Sequence, residues 1–298
     1  MESQEFSANG LAFHVLHWGW RDPGRAMLLL HGLASNARIW EQTAPHLAEA
    51  GWAVFAPDLR GHGRSAKPDT GYDIASLTDD IAGLIRSLGV LRPVLVGHSW
   101  GAALALAFAA RAGPGTEQPA ALVLVDGGLG QLNRFPGGTW ETVRDLLTPP
   151  RLAGMARADL AERLRDPQRK WPMDEQAVDI SLANFELRPD GTVTPHLTFE
   201  RHMRIVRSMW EFEVHAQFVR VRCPILALPA RPPRPWDEAE ERFVLLKEDG
   251  AERAIQVGAD LRVHWMDDTI HDVPLQRPRR LAQEILGFAD GLTRHVAG

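Results

Sequence analysis

The feature that most constrains this chain is a series of short, uninterrupted apolar runs separated by segments of helical texture. Ala26 to Leu30 (AMLLL), Trp52 to Ala56 (WAVFA), Pro93 to Val96 (PVLV) and Ala121 to Val125 (ALVLV) each have the length of a strand and no polar position. A strand with one wet face alternates; a strand apolar throughout is covered on both faces, as in a parallel sheet flanked by helices. The intervening segments supply such helices, over about 38–50 with a stop at Gly51, over 73–88, and over the Ala/Leu-rich stretch 102–112 ending at Gly113 and Pro114. Gly10 to His17 (GLAFHVLH) alternates instead, and pairs with the segment around Phe6 across an Asn9-Gly10 turn. Strands alternating with helices at this spacing predict an α/β fold with a mostly parallel sheet.

The rhythm breaks between about Leu129 and Phe218, where no short buried-strand signal occurs and the texture is charged and helical, with a turn at Pro189-Asp190-Gly191. It resumes with Pro224 to Leu228 (PILAL), a polar helix near 237–247, Leu261 to Met266 (LRVHWM) and a terminal helix over about 278–288. Arg231 to Pro235 is a stiff local loop. The expected organisation is a core of residues 1–128 and 217–298, interrupted by a helical cap or lid at 129–216.

A chain of 298 residues with 45% hydrophobic and 24% charged residues can bury one large core. Its net charge of −5 gives no support to a nucleic-acid partner. Cys223 is the only cysteine, which excludes an intrachain disulfide and two-cysteine motifs. The acidic start Met1-Glu2-Ser3-Gln4-Glu5 lacks the features of a signal peptide, and no apolar stretch is long enough for a membrane span. A cytoplasmic protein is the expectation.

Gly97-His98-Ser99-Trp100-Gly101 matches G-x-S-x-G, with an apolar strand directly before it and an Ala-rich helix directly after. A sharp strand-to-helix turn needs glycine at both ends because side chains there would meet neighbouring backbone. That turn lifts the serine hydroxyl to the carboxyl edge of the sheet, beside the free N–H groups of a helix N-terminus. With these residues the chain resembles the α/β-hydrolase family, over nearly its whole length outside the cap. His31-Gly32-Leu33 is similar to the family's oxyanion loop, Ala56 to Ser65 (APDLRGHGRS) to its D-x-R-G-x-G-x-S loop, and Thr269 to Pro278 (TIHDVPLQRP) to its histidine segment. The resemblance implies an eight-stranded sheet, Ser99 as nucleophile, and an oxyanion hole made by the backbone N–H groups of Leu33 and Trp100. Asp58, Arg60 and His62 read as braces of the second loop.

Among the histidines, His271 lies in a loop after the last strand, on the same sheet edge as Ser99, and is the expected base. His98 cannot fold back onto the neighbouring hydroxyl, His31 precedes the oxyanion loop, and His264 sits within a strand pattern. The acid departs from the family's pattern. Its usual position, in the loop after the seventh strand, falls near Pro233. Two carboxylates preserve the chain order of serine, acid and histidine. Asp126 ends the sixth strand, where some family members carry their acid; Asp237 follows the seventh, and could instead cap a helix. Asp126 is the preferred reading, because Pro232, Pro233 and Pro235 stiffen the path from Asp237 back to His271.

Serine suits attack on a carbonyl; epoxide hydrolases and haloalkane dehalogenases of the family use a carboxylate. The expected activity is hydrolysis of a carboxylic ester or related small acyl substrate through an acyl-enzyme on Ser99. The alternatives are a C–C bond hydrolase or lactonase with the same triad, and a ligand-binding relative with little turnover. No cofactor is expected, and no metal, since neither HExxH nor a Cys/His cluster occurs. A homodimer is left open. The cap aromatics Trp140, Trp171, Phe185, Phe199, Trp210 and Phe212 suggest an apolar pocket, with Trp40 and Trp100 contributing from the core and Trp210 from the cap. Arg201, His202 and Arg204 could bind a substrate carboxylate, but at helical spacing they read rather as solvated or junction residues.

Overall fold

The computed structural model describes residues 1–19, 22–111, 118–134 and 138–296, the last four without side chains. The first half contains β1 (Glu2–Ala8), β2 (Leu11–Trp18), β3 (Ala26–Leu30), α1 (Ala44–Glu49), β4 (Ala53–Pro57), α2 (Ile74–Leu88), β5 (Val94–His98), α3 (Trp100–Arg111) and β6 (Ala121–Val125). Then come α4 (Trp140–Leu147), α5 (Arg157–Arg165), α6 (Glu175–Leu182), β7 (Phe185–Leu187), β8 (Val193–Pro195), α7 (Phe199–Glu211) and α8 (Val214–Phe218). The chain closes with β9 (Ile225–Leu228), β10 (Ala230–Arg231), α9 (Glu238–Gln256), β11 (Leu261–Val263), β12 (Met266–Asp267), α10 (Val273–Gln276) and α11 (Pro278–Val296).

Eight strands form one sheet in the order β1-β2-β4-β3-β5-β6-β9-β11, antiparallel at β1–β2 and β2–β4 and parallel from β4 onward. The apolar runs are buried on both faces. Leu28, Leu30, Leu95, Leu122 and Leu124 pack on one side with Leu77, Ile81 and Leu84 of α2 and with α3. Met27, Leu29, Val94, Val96 and Val123 pack on the other with Leu47 of α1 and Leu281, Ile285 and Phe288 of α11. This is the mostly parallel α/β sheet that the sequence predicts. Asn9 and Gly10 both have positive φ, 53° and 74°, as the two-residue hairpin turn between β1 and β2 demands. Asp73 caps α2 through the Ser76 N–H, and Gly89 ends it in the left-handed region.

Several elements differ from the expectation. The helix over 38–50 is a 3-10 turn at Ala37–Trp40 followed by the short α1, because Pro45 cannot donate within a continuous helix and instead starts a new one. The polar helix near 237–247 runs on to Gln256, since Val244, Ala251 and Ala254 give it a buried stripe. Gly250 lets that helix approach the Leu129 carbonyl; a Cβ there would lie 2.2 Å from the oxygen. The last expected strand is split: Leu261–Val263 pairs with β9, and Met266–Asp267 with β10. The stop at Gly113 and Pro114 lies outside the described residues. Among the described residues between β6 and β9, the regular elements are helices apart from the β7–β8 hairpin, which turns at Pro189-Asp190-Gly191.

Candidate active site

Ser99 stands between β5 and α3 with φ of 55°, in the left-handed region that a non-glycine residue enters at a cost of about 1–3 kcal/mol. The flanking glycines make the turn possible. A Cβ on Gly97 would lie 2.3 Å from the Gly101 carbonyl oxygen, and one on Gly101 2.4 Å from that of Leu30. Asp126, at the end of the neighbouring β6, is held in the same unusual region with φ of 42°. The two turns press against each other: a Cβ on Gly127 would lie 2.1 Å from the Ser99 carbonyl oxygen. The Ser99 N–H donates to the Val125 carbonyl at 2.9 Å, and the Asp126 N–H to that of Leu228 at 3.0 Å.

His271 lies in the loop between β12 and α10. The Ser99 hydroxyl donates to its Nε2 across 2.9 Å, and its Nδ1–H donates to Asp126 Oδ2 across 2.6 Å. The structure therefore brings Ser99, His271 and Asp126 into one hydrogen-bonded chain. Asp237 is elsewhere. It caps α9, accepting the Glu240 N–H at 2.9 Å while Glu240 accepts the Asp237 N–H at 3.0 Å, and it pairs with Lys170 in solvent.

Burial raises the Asp126 carboxyl, but the Lys247 ammonium and the bond from His271 outweigh it and hold the group well below the carboxylate range. Burial lowers His271, yet the bond to Asp126 and the nearby Asp126 and Asp272 charges leave it raised above 6.5. Its side chain is 57% exposed, and it lines two cavities. His98 donates from Nε2 to the His271 carbonyl at 2.8 Å, fixing the backbone at His271; burial and the neighbouring imidazole push His98 down to about 4, so it stays neutral.

Sequence reasoning missed Lys247. Its ammonium lies 2.8 Å from Asp126 Oδ1 and 2.6 Å from the Ala230 carbonyl, and the Ala230 N–H donates to the same Oδ1 at 2.7 Å. No local signal separates this lysine from the other charges of α9, because its partner is 121 residues away.

The loop after β3 is braced as a unit. A Cβ on Gly32 would lie 3.1 Å from that of Ser99, so the segment carrying Leu33 abuts the serine. His31 donates to the Gly32 carbonyl at 2.8 Å and accepts the Leu59 N–H at 2.9 Å. Asp58 accepts from His14, from the Ala37 N–H at 2.7 Å and from the Arg64 N–H at 2.8 Å, which ties the two loops together. Arg60 grips Asp80 with two bonds, and His62, pushed down to about 3 by burial, accepts the Ala34 N–H. Among the described residues, the backbone N–H groups of Leu33 and Trp100 have no protein acceptor.

Two expected pocket residues are corrected. Trp40 is fully buried in the core with Leu47 and Met27, on the side of the sheet that α1 and α11 cover, and lines neither cavity. Trp210 packs on Trp140 with ring centres 6.1 Å apart. Its neighbours Met209 and Phe212, three residues apart on one face of α7 and its end, line the larger cavity in its place. Trp100 does line that cavity. Among the described residues there is no cluster of metal-ligating side chains and no helix long and apolar enough to cross a membrane.

The sheet order, and the strand–turn–helix at its centre that carries Ser99, define the class. A family model for the alpha/beta hydrolase fold matches residues 25–166. The chain has the α/β-hydrolase fold. The crystal structure of E-2-(acetamidomethylene)succinate hydrolase superposes with a TM-score of 0.75 at 22% identity, covering 97% of this chain and 99% of that one, a likeness of fold. Epoxide hydrolase A of Mycobacterium tuberculosis is 43% identical over 97 residues, 32% of this chain and 30% of that protein. The 2-(acetamidomethylene)succinate hydrolase of Mesorhizobium japonicum is 44% identical over 88 residues, 30% of this chain and 31% of that protein. The chain thus matches about a third of the length of these curated relatives.

Proposed function

We propose that this protein is a serine hydrolase that cleaves a carboxylic ester or related acyl substrate through a covalent acyl-enzyme on Ser99. The observation that carries this reading is the unbroken chain from Ser99 Oγ to His271 Nε2 and from His271 Nδ1 to Asp126, at 2.9 and 2.6 Å. His271 takes the hydroxyl proton as Oγ attacks the carbonyl carbon, and Asp126 stabilises the imidazolium that forms. The N–H groups of Leu33 and Trp100 receive the developing oxyanion, each such donor being worth about 3–4 kcal/mol in the transition state. The imidazolium then protonates the leaving group, and a water activated by the same imidazole releases the acid. The relatives include proteins named as epoxide hydrolases. Epoxide opening by displacement at carbon calls for a carboxylate nucleophile, and this turn carries a hydroxyl; carbonyl chemistry is therefore favoured.

In the same reading, residues 129–216 act as a lid. Leu132, Leu147, Met209, Phe212 and Val214 from this span form one wall of the cavity over Ser99. The test is labelling with a fluorophosphonate followed by peptide mapping, together with p-nitrophenyl ester hydrolysis. Stoichiometric labelling of Ser99, and loss of turnover in Ser99→Ala with unchanged thermal stability, are the expected results. Retention of more than a few per cent of activity in that variant would sink the assignment.

A further inference from the structure

Two cavities meet at the reacting groups, since Ser99 and His271 line both. The larger, about 480 Å³, is walled by Trp100, Leu147, Met209, Phe212, Phe243 and Leu246. The smaller, about 270 Å³, is walled by Leu33, Ile39, Leu160, Met173, Ile180 and Phe185. The smaller continues, through Ser35, Leu152, Asn184 and Phe185, into a third cavity of about 660 Å³ between the β3 loop and the β7–β8 hairpin. A carbonyl seated over Ser99 thus has apolar space on two sides.

Charge is distributed against an anionic ligand. Among the described residues lining the two cavities at Ser99, Lys247 is the only lysine or arginine, and its ammonium is held by Asp126 and the Ala230 carbonyl. Glu240 borders the larger cavity, and Asp272 the smaller. The basic side chains of α7 are directed elsewhere: Arg201 pairs with Asp69, Arg204 donates to the Asp69 carbonyl, Arg207 pairs with Glu211, and His202 donates to the Leu147 carbonyl. A substrate carboxylate within either cavity at Ser99 would be desolvated with no free cation to meet it and acidic groups nearby; Arg151 stands further off, on the wall of the third cavity.

Building on the acyl-transfer reading, we propose that the site takes an uncharged substrate with an apolar group on each side of the scissile bond, one arm in each cavity. The decisive pair of substrates is p-nitrophenyl butyrate and mono-p-nitrophenyl succinate, which have acyl chains of equal length ending in a methyl or a carboxylate. The expected kcat/KM is about 100-fold lower for the succinate, because an unpaired carboxylate is penalised in an apolar site. Two further series, acyl length varied on p-nitrophenol and alcohol length varied on butyrate, locate the arms. Ala103→Phe, on the wall of the larger cavity, should depress one series about 10-fold at its long end, and Ser181→Phe, on the smaller, the other. Ser99-dependent hydrolysis that is equal for the charged and uncharged esters overturns the proposal and leaves the acyl-transfer reading standing. Both variants acting on one series overturns the two-arm arrangement. Absence of any Ser99-dependent hydrolysis overturns the acyl-transfer reading, and this proposal with it.

Discussion

Both oxygens of Asp126 are engaged, Oδ2 by His271 and Oδ1 by Lys247 and the Ala230 N–H. In Asp126→Asn the amide can no longer fix the imidazole in its working tautomer, and kcat should fall about 10⁴-fold. Asp237→Asn should change activity less than about twofold, because asparagine caps a helix as well as aspartate. Measurement of kcat for the two variants decides between the carboxylates. Lys247 makes a subtler contribution. His271 is faced by Asp126 and Asp272, which raise it, by Lys247, which lowers it, and by the neutral His98. The base works unprotonated, so activity should rise with pH through a midpoint above 6.5. Lys247→Met removes the positive charge that lowers His271, and the midpoint should move upward. An unchanged pH profile would show that the lysine only fills space. Ser99 and His271 were legible in the sequence because a turn with two glycines and a histidine after the last strand are local signals. Lys247 was not, since its partner is fixed by the fold alone.

Helix α7 presents two faces with different work. Met209 and Phe212 line the cavity, whereas Trp210, one residue on from Met209 and about 100° round the helix, packs at a tilt against Trp140, which Arg207 covers from 4.8 Å. Trp210→Ala should therefore lower stability by about 1–2 kcal/mol and leave the chain-length preference unchanged. Met209→Ala should do the reverse, widening the range of acyl chains at little cost in stability. Chemical denaturation beside an ester-length series measures both, and a shifted preference in the Trp210 variant would return that residue to the pocket. The sequence located α7 within a helical stretch but could not phase it, because an aromatic residue is equally at home in a core stripe and in a cavity wall. The same limit explains the early end set for α9. Its buried stripe of Val244, Ala251 and Ala254 is small-sided, and the helix runs through Gly250, against which the Leu129 carbonyl packs.

Across the whole molecule, the buried titratable groups act together on acid stability. His31, His62, His98 and His202 are held below the ordinary imidazole value, chiefly by burial, so the unfolded chain takes up protons first as pH falls below about 6.5. Asp58 and Asp126 are also depressed, and their contribution is lost at lower pH, once the unfolded carboxylates begin to protonate near 4. His271, raised, works in the opposite direction as a single group, its stability present in acid and lost as pH rises through its folded value. The urea midpoint should fall already between pH 7 and 5, before the carboxylates titrate. A flat profile over that interval would contradict the assignment of neutral, buried imidazoles. The nucleophile turn, the loop that abuts it and the acid are all in place by residue 126, but His271 follows the acid by 145 positions. In the proposed mechanism, a polypeptide released from the ribosome before that point lacks the imidazole that would take the Ser99 proton.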